Sequence, residues 1–289
     1  NIIVEEASFQ LRNNFNSTVN NNIVIKKGTP RFLKKLNGNV LSLLTGGGGN
    51  NNYFHWLFDV LPRIALVEKA FNLNDIDFFL CPNLNRWQLR TLNLLGIKKD
   101  KCLSSVIYRH IKAKNIIVTT HPWLMSKNVS YDIENLPNWI SSWLKEKFLK
   151  LKSNKKLPKK IYIDRSDSES NLKDYRSIIN EKEIVNFLIK KGFSSVRLSD
   201  LNFEDQIKLF HDADIVVGLH GAGLANLIWA STKTKIIELK SNFTNKVIEN
   251  LALGNNINYN KILCRPLDKA IQEHYGTIKV DINKLSKIL

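Results

Sequence analysis

The chain is poor in cross-linking and hinge residues: three cysteines, one methionine and seven prolines in 289 residues. Cys81, Cys102 and Cys264 are odd in number, far apart and free of any C-x-x-C spacing. That excludes a disulfide framework or a zinc ribbon and favours a reducing compartment. No run approaches the ~18 uncharged apolar residues of a membrane span. Ile2-Ile3-Val4 is too short for the apolar core of a signal peptide, so a cytoplasmic location is expected. G-x-S-x-G is missing, which removes the hydrolase reading of His-Gly-Ala-Gly as an oxyanion loop. G-x-G-x-x-G is missing too, and with it the dinucleotide fingerprint. Acid is also scarce: 26 Asp plus Glu face 43 Lys plus Arg, a net charge of +17.

A pI near 9.7 raises nucleic-acid binding first. The basic residues are 33 Lys and only 10 Arg, and Asn (35) and Ile (31) are as common. Lys, Asn and Ile together are the signature of an AT-rich genome, and base readout favours bidentate Arg. No nucleic-acid partner is therefore expected. One lysine run stands out, at 145, 147, 150, 152, 155, 156, 159 and 160. It reads either as a solvated linker or as a peripheral contact with an anionic membrane surface. Three N-x-S/T triplets, at Asn16, Asn128 and Asn242, match chance in so Asn-rich a chain.

With 43% hydrophobic residues and a length beyond one ordinary domain, two α/β domains are expected, 1–152 and 153–289. In the second half, short apolar runs at 161–164, 195–198, 214–218, 235–239 and 257–263 alternate with helical patterns at 181–191, 203–211, 224–230 and 244–253. That alternation implies a parallel sheet with helices on both faces. The first half carries strand patterns at 40–44, 77–81 and 115–119, and helices from Tyr53, over 86–95 and over 138–151. Pro62 should kink or restart the helix from Tyr53.

Three constellations carry chemistry. Asp214–Asn226 runs a buried strand into His220-Gly221-Ala222-Gly223 and then a helix, either a place where backbone N–H groups attract an anion such as a diphosphate or a small-residue turn for tight strand–helix packing. Asn52–Arg63 follows a glycine run at 46–49 and spaces His55, Asp59 and Arg63 four residues apart. It is either a general-base site or a surface Asp59–Arg63 ion pair with His55 capping. Arg165 and Arg176 lie near a strand end and suit phosphate recognition. Their alternative is structural pairing with Glu181 or Asp205. The D-x-D triplets Asp75–Asp77 and Asp212–Asp214 precede strands, so no metal site is expected of them.

These stretches, N-Y-F-H-W-L-F-D-V-L-P-R (52–63), D-R-S (164–166), R-S-I-I-N-E (176–181), F-E-D-Q-I-K-L-F (203–210), V-V-G-L-H-G-A-G-L-A-N-L-I-W-A (216–230) and K-I-I-E-L (235–239), together resemble one family. It is glycosyltransferase family sixty-one, which holds plant xylosyl- and arabinosyltransferases, animal EGF-domain and protein-O-mannose O-GlcNAc transferases, and bacterial capsular-polysaccharide proteins. The resemblance implies an α/β, GT-B-like fold with two Rossmann-like domains facing a central cleft. It implies inverting, metal-independent transfer from a nucleotide sugar, UDP-linked in known members, with the donor as substrate and no cofactor. The acceptor would be a glycan or lipid-linked saccharide in surface polysaccharide synthesis. Asp59 or His55 would be the base. Arg165, Arg176, His220, Gly221, Ala222, Gly223, Asn226 and Glu238 would bind the donor, Glu238 either through ribose or as a buried cap. The competing classes are a basic nucleic-acid-binding protein and a non-catalytic sugar-binding protein.

Overall fold

The computed structural model describes residues 28–45, 51–126, 128–166, 176–266 and 276–289. The glycine run at 46–49 and the Asn16 triplet fall outside them. All strand pairs in the described sheets are parallel, and the chain divides into two units. Unit 1 is residues 1–133 with 142–147; unit 2 is 134–141 with 148–289.

In unit 1, β1 (Lys34–Lys35) pairs with β5 (Ile111–Lys112). The main sheet holds β2 (Asn39–Ser42), β3 (Phe78–Cys81), β4 (Cys102–Ser104) and β6 (Asn115–Ile117), in the order β4-β3-β2-β6. The chain starts centrally, winds outward through β3 and β4, and returns to the other side of β2. This order reverses direction between β2 and β6, the position at which open α/β sheets bind ligands.

The segment after β2 forms α1 (Tyr53–His55), a π-helical turn over Trp56–Val60, and α2 (Pro62–Glu68). Asn52 caps the start, its side chain accepting from the His55 N–H. Pro62 does restart the helix. It has no N–H to offer four residues back, and Leu61 N–H reaches five residues back to Trp56 O at 3.0 Å. The widened turn also bears on the surface Asp59–Arg63 pair considered from the spacing. Asp59 and Arg63 are buried along with Trp56, Leu57, Phe58 and Val60. Next, α3 (Arg86–Leu94) opens with a capping box between Asn85 and Gln88, a device that stabilises a helix by ~1 kcal/mol. Finally α4 (Val129–Glu134) runs to the boundary of the unit.

Unit 2 contains the ends of α5 (Asn138–Phe148), then β7 (Lys160–Asp164), β8 (Ser177–Ile178), α6 (Glu181–Lys190), β9 (Ser194–Arg197) and α7 (Phe203–Asp212). It continues with β10 (Ile215–Leu219), β11 (Lys235–Ser241), α8 (Val247–Gly254), β12 (Asn258–Cys264), β13 (Thr277–Ile278) and α9 (Ile282–Ile288). The sheet order is β12-β11-β10-β7-β9, with β13 and β8 paired apart from it. Here the winding reverses between β7 and β10. One face packs Tyr162, Val217, Leu219, Ile237, Leu239 and Ile262 against Ile184 and Leu188 of α6. Phe148, Phe203 and Trp229 form a second, edge-to-face cluster.

Two local readings change. The helix expected over 224–230 is a 3₁₀ run, Ala222–Trp229, closed by Leu224 N–H on Gly221 O at 3.0 Å. The helical pattern at 244–253 becomes α8 over 247–254, and Asn256, at φ 55°, makes the left-handed turn after it. A Cβ at Gly254 would fall 2.8 Å from Asn138 Oδ1, so close approach selects that glycine.

Candidate active site

In unit 1 the reversal point brings the helix after β2 against the chain after β6. The His55 ring meets Asp59 Oδ2 through Nδ1 at 2.7 Å. A carboxylate partner makes Nδ1 the protonated nitrogen and leaves the Nε2 lone pair free. Trp123 Nε1–H donates to Asp59 Oδ1 at 2.6 Å, and His121 Nε2 lies 3.9 Å from Oδ2. Thus Asp59 is buried and held on both oxygens, while the His55 side chain keeps 28% of its surface exposed. Burial pushes the His55 pKa down, but the Asp59 hydrogen bond and charge outweigh it and raise it above its ordinary value. His121 goes the other way, to about 4, chiefly through burial.

Arg63 does not pair with the Asp59 carboxylate. Its Nε donates to the Asp59 carbonyl at 3.1 Å, and Nη1 reaches Thr119 O and Oγ1, both at 3.4 Å. The surface ion pair considered from spacing is therefore not formed. Burial brings the Arg63 pKa down to about 10.

In unit 2 the reversal point joins the ends of β7 and β10. Arg165 Nη1 donates to the His220 carbonyl at 2.9 Å. Gly221 leaves room for this approach: a Cβ there would sit 3.1 Å from Arg165 Nη1. The His220 ring bonds through Nδ1 to Glu238 Oε1, and Tyr259 OH donates to Glu238 Oε2. Lys240 Nζ lies 3.7 Å from Oε2 and donates to Asn245 O at 2.6 Å. All four side chains of this network except Tyr259 are buried. Burial lowers the His220 pKa and outweighs Glu238, so the imidazole is neutral. Burial alone would raise the Glu238 pKa, but His220, Lys240 and Tyr259 bring it below the ordinary value. Arg176 is close enough for its charge to act on His220.

Several expected donor contacts are committed to internal bonds. Asn226 is fully buried, its Nδ2 donating to Gln206 Oε1 and Gly223 O at 3.2 Å, its Oδ1 accepting from Trp229 Nε1 at 3.0 Å. It ties the 3₁₀ run to α7, with both ends of its amide engaged inside the protein. Glu238 takes the buried-cap alternative, since it is fully buried behind His220. The carboxylates considered as partners for the arginines are engaged elsewhere: Glu181 accepts from Tyr162 OH, and Asp205 from Ser153 Oγ and Lys155. Asp77 of the first D-x-D holds the Asn39 N–H at 2.7 Å; Asp212 of the second pairs with Lys208 and His211. In the lysine run, Lys147 pairs with Glu68 and Lys155 with Asp205. Among the described residues no helix is long and apolar enough to cross a membrane.

Sequence pattern does not single out His121, Trp123, Lys240 or Tyr259. His121-Pro122-Trp123 follows a strand, which is a local signal, but only the strand order reveals that it meets Asp59.

Doubly wound parallel sheets, each with a carboxylate–histidine pair at its reversal point, define a Rossmann-like α/β protein. The family model for "Glycosyltransferase 61" matches residues 53–237, and the chain belongs to that family. It is similar to the EGF domain-specific O-linked N-acetylglucosamine transferase of Gallus gallus, 32% identical over 108 residues, 36% of this chain and 20% of that protein. The Rattus norvegicus protein of the same name is 38% identical over 71 residues, 23% of this chain and 14% of that protein. These matches span a fifth or less of the relatives' length. Among solved structures, a dipicolinate synthase chain from Bacillus halodurans covers 78% of this chain and 89% of its own at 12% identity, with a TM-score of 0.21, too low to carry an argument.

Proposed function

We propose that this chain is an inverting glycosyltransferase of GT-B type, in which unit 1 supplies the base and unit 2 holds a UDP-sugar. The observation that carries the reading is the His55–Asp59 pair, an accessible imidazole oriented by a buried carboxylate. Inversion needs one base. The acceptor hydroxyl oxygen attacks the anomeric carbon, its proton passes to His55 Nε2, and the bond from that carbon to the diphosphate oxygen breaks. Asp59 keeps the ring in the competent tautomer and balances the imidazolium that forms. This choice makes His55 the base and Asp59 its positioning residue.

The leaving UDP gains negative charge. Arg165, Arg176 and the N–H groups at Gly221, Ala222 and Gly223 would meet it, work that a divalent cation does elsewhere. Neutral His220, its Nδ1–H given to Glu238, offers Nε2 as an acceptor toward a donor hydroxyl. The acceptor in this reading is a saccharide, free or lipid-linked, of a surface polysaccharide, and the exposed lysines of 150–160 touch an anionic membrane that carries it.

A thermal-shift and turnover screen tests this. UDP should raise the melting temperature, one UDP-sugar should be turned over with release of UDP, and EDTA should leave the rate unchanged. UDP-N-acetylglucosamine heads the panel because the relatives are named for that sugar. No stabilisation by any uridine or other nucleotide, with salt-sensitive binding to random DNA instead, would overturn it. Binding without turnover would move the chain to the sugar-binding class.

A further inference from the structure

Beyond the reversal point, the same strand-end edge of unit 1 holds a cavity of about 410 Å3 lined by Asn51, Pro82, Asn83, Asn85, Ser105 and Val106. Its walls come from the chain after three strands: Asn51 after β2, Pro82 and Asn83 after β3, Ser105 and Val106 after β4. Its size falls in the ~300–1,000 Å3 range of small-ligand sites. Its chemistry is unusual for this molecule. In a chain of net charge +17, none of the six lining residues is charged, and four of them carry an amide or a hydroxyl.

Part of that polarity braces the wall. Asn85 Oδ1 caps α3, and Asn85 Nδ2 donates to Asn51 Oδ1 at 3.0 Å. The rest is unspent: among the described residues, Asn51 Nδ2, the Asn83 amide and Ser105 Oγ have no protein partner. Amides and hydroxyls are donors and acceptors at once, which matches sugar hydroxyls and gives no advantage to phosphate or carboxylate. Asn51 is also four residues from His55, so a sugar held here lies at the start of the helix that carries the base.

We infer that this cavity is an acceptor subsite for an uncharged saccharide unit, read by Asn51, Asn83 and Ser105. The inference rests on the transferase reading and sharpens it: the unit next to the attacking hydroxyl is a neutral sugar, and any phosphate or uronate of the acceptor lies outside this subsite.

The test is saturation-transfer NMR on the full chain with lactose, maltose, cellobiose and N,N′-diacetylchitobiose, and with cellobiuronic acid as the charged counterpart. At least one neutral disaccharide should give saturation transfer that UDP does not displace, and cellobiuronic acid should give less. The Asn83→Ala/Ser105→Ala double variant changes two accessible loop positions and should lose at least five-fold of that affinity. Its melting temperature and the shift produced by UDP report folding and the other unit. Silence from all four neutral probes, equal or stronger binding of cellobiuronic acid, or unchanged binding in the double variant would overturn the subsite. Failure of the transferase reading appears separately, as loss of the UDP shift in the unmodified chain.

Discussion

The two units contain the same pair, a histidine donating Nδ1–H to a carboxylate near the reversal point of a parallel sheet, in opposite surroundings. In unit 1 the carboxylate is buried and the ring is partly open, so Asp59 raises the His55 pKa and the imidazole can exchange a proton with a substrate. In unit 2 both members are buried, a lysine and a tyrosine share the carboxylate, and the ring stays neutral. The chemistry of a carboxylate–histidine pair is thus decided by which member faces solvent and by what else reaches the carboxylate. The first arrangement is suited to proton exchange, and the second to a fixed, uncharged hydrogen-bonding ring.

The largest expected effect separates these roles. His55→Ala should lower turnover by about 10³-fold, within the range of general-base removal, and leave the UDP melting shift intact. Turnover retained within ten-fold would break the comparison, because the exposed ring would then have no chemical task. On the other side, Glu238→Gln leaves Lys240 and its neighbours without a counter-charge in a fully buried site. It should cost about 3 kcal/mol in urea unfolding, as removal of one partner from a buried pair does. A loss under ~1 kcal/mol would show that the network tolerates neutrality, contrary to the burial argument.

Asp59→Asn comes next, with turnover falling by about 10²-fold and a change in pH dependence whose sign is fixed. Asp59 raises the His55 pKa, so its removal lets that pKa fall. The base is then deprotonated at lower pH, and the acidic limb of kcat/KM moves to lower pH. A limb that stays put would mean that another group carries the proton.

How much of this is visible in the sequence differs between the units for a physical reason. In unit 2, β-branched runs such as Ile161-Tyr162-Ile163 and Lys235-Ile236-Ile237 alternate with amphipathic helices, so periodicity alone locates sheet and helices. In unit 1 the strands of the main sheet are three or four residues long and give a weaker signal. Local pattern finds Pro62 as a restart; Asn202, directly before α7, caps that helix by accepting from Asp205 N–H at 2.7 Å. Local pattern does not decide between a general-base site and a surface pair for Asp59 and Arg63, because a π turn shifts the register that 3.6-residue periodicity assumes. His121, Trp123, Lys240 and Tyr259 are out of its reach for a different reason: they meet their carboxylates through strand order, which no local window encodes. The partners of Asn226, Gln206 and Trp229, are likewise set by packing of the 3₁₀ run on α7 and lie outside any local window.

The smallest expected effect concerns the joint between Arg165 and the His220 turn. Arg165→Ala should weaken UDP about ten-fold, or ~1.4 kcal/mol, if the guanidinium meets the diphosphate as proposed. Gly221→Ala should act on the same contact more gently. Gly221 has extended backbone that alanine can adopt, so the added Cβ is felt only through its 3.1 Å approach to Arg165 Nη1. The guanidinium is the far end of a flexible side chain and can retreat by a few tenths of an ångström. The expected cost is about three-fold in UDP affinity, and isothermal titration on the two single variants and their double resolves it. In the double variant Gly221→Ala should add nothing, because the group it displaces is gone. Additive losses would mean that Gly221 serves the backbone cradle directly, and the half-buried arginine and the buried network behind His220 would then act on the donor as independent parts.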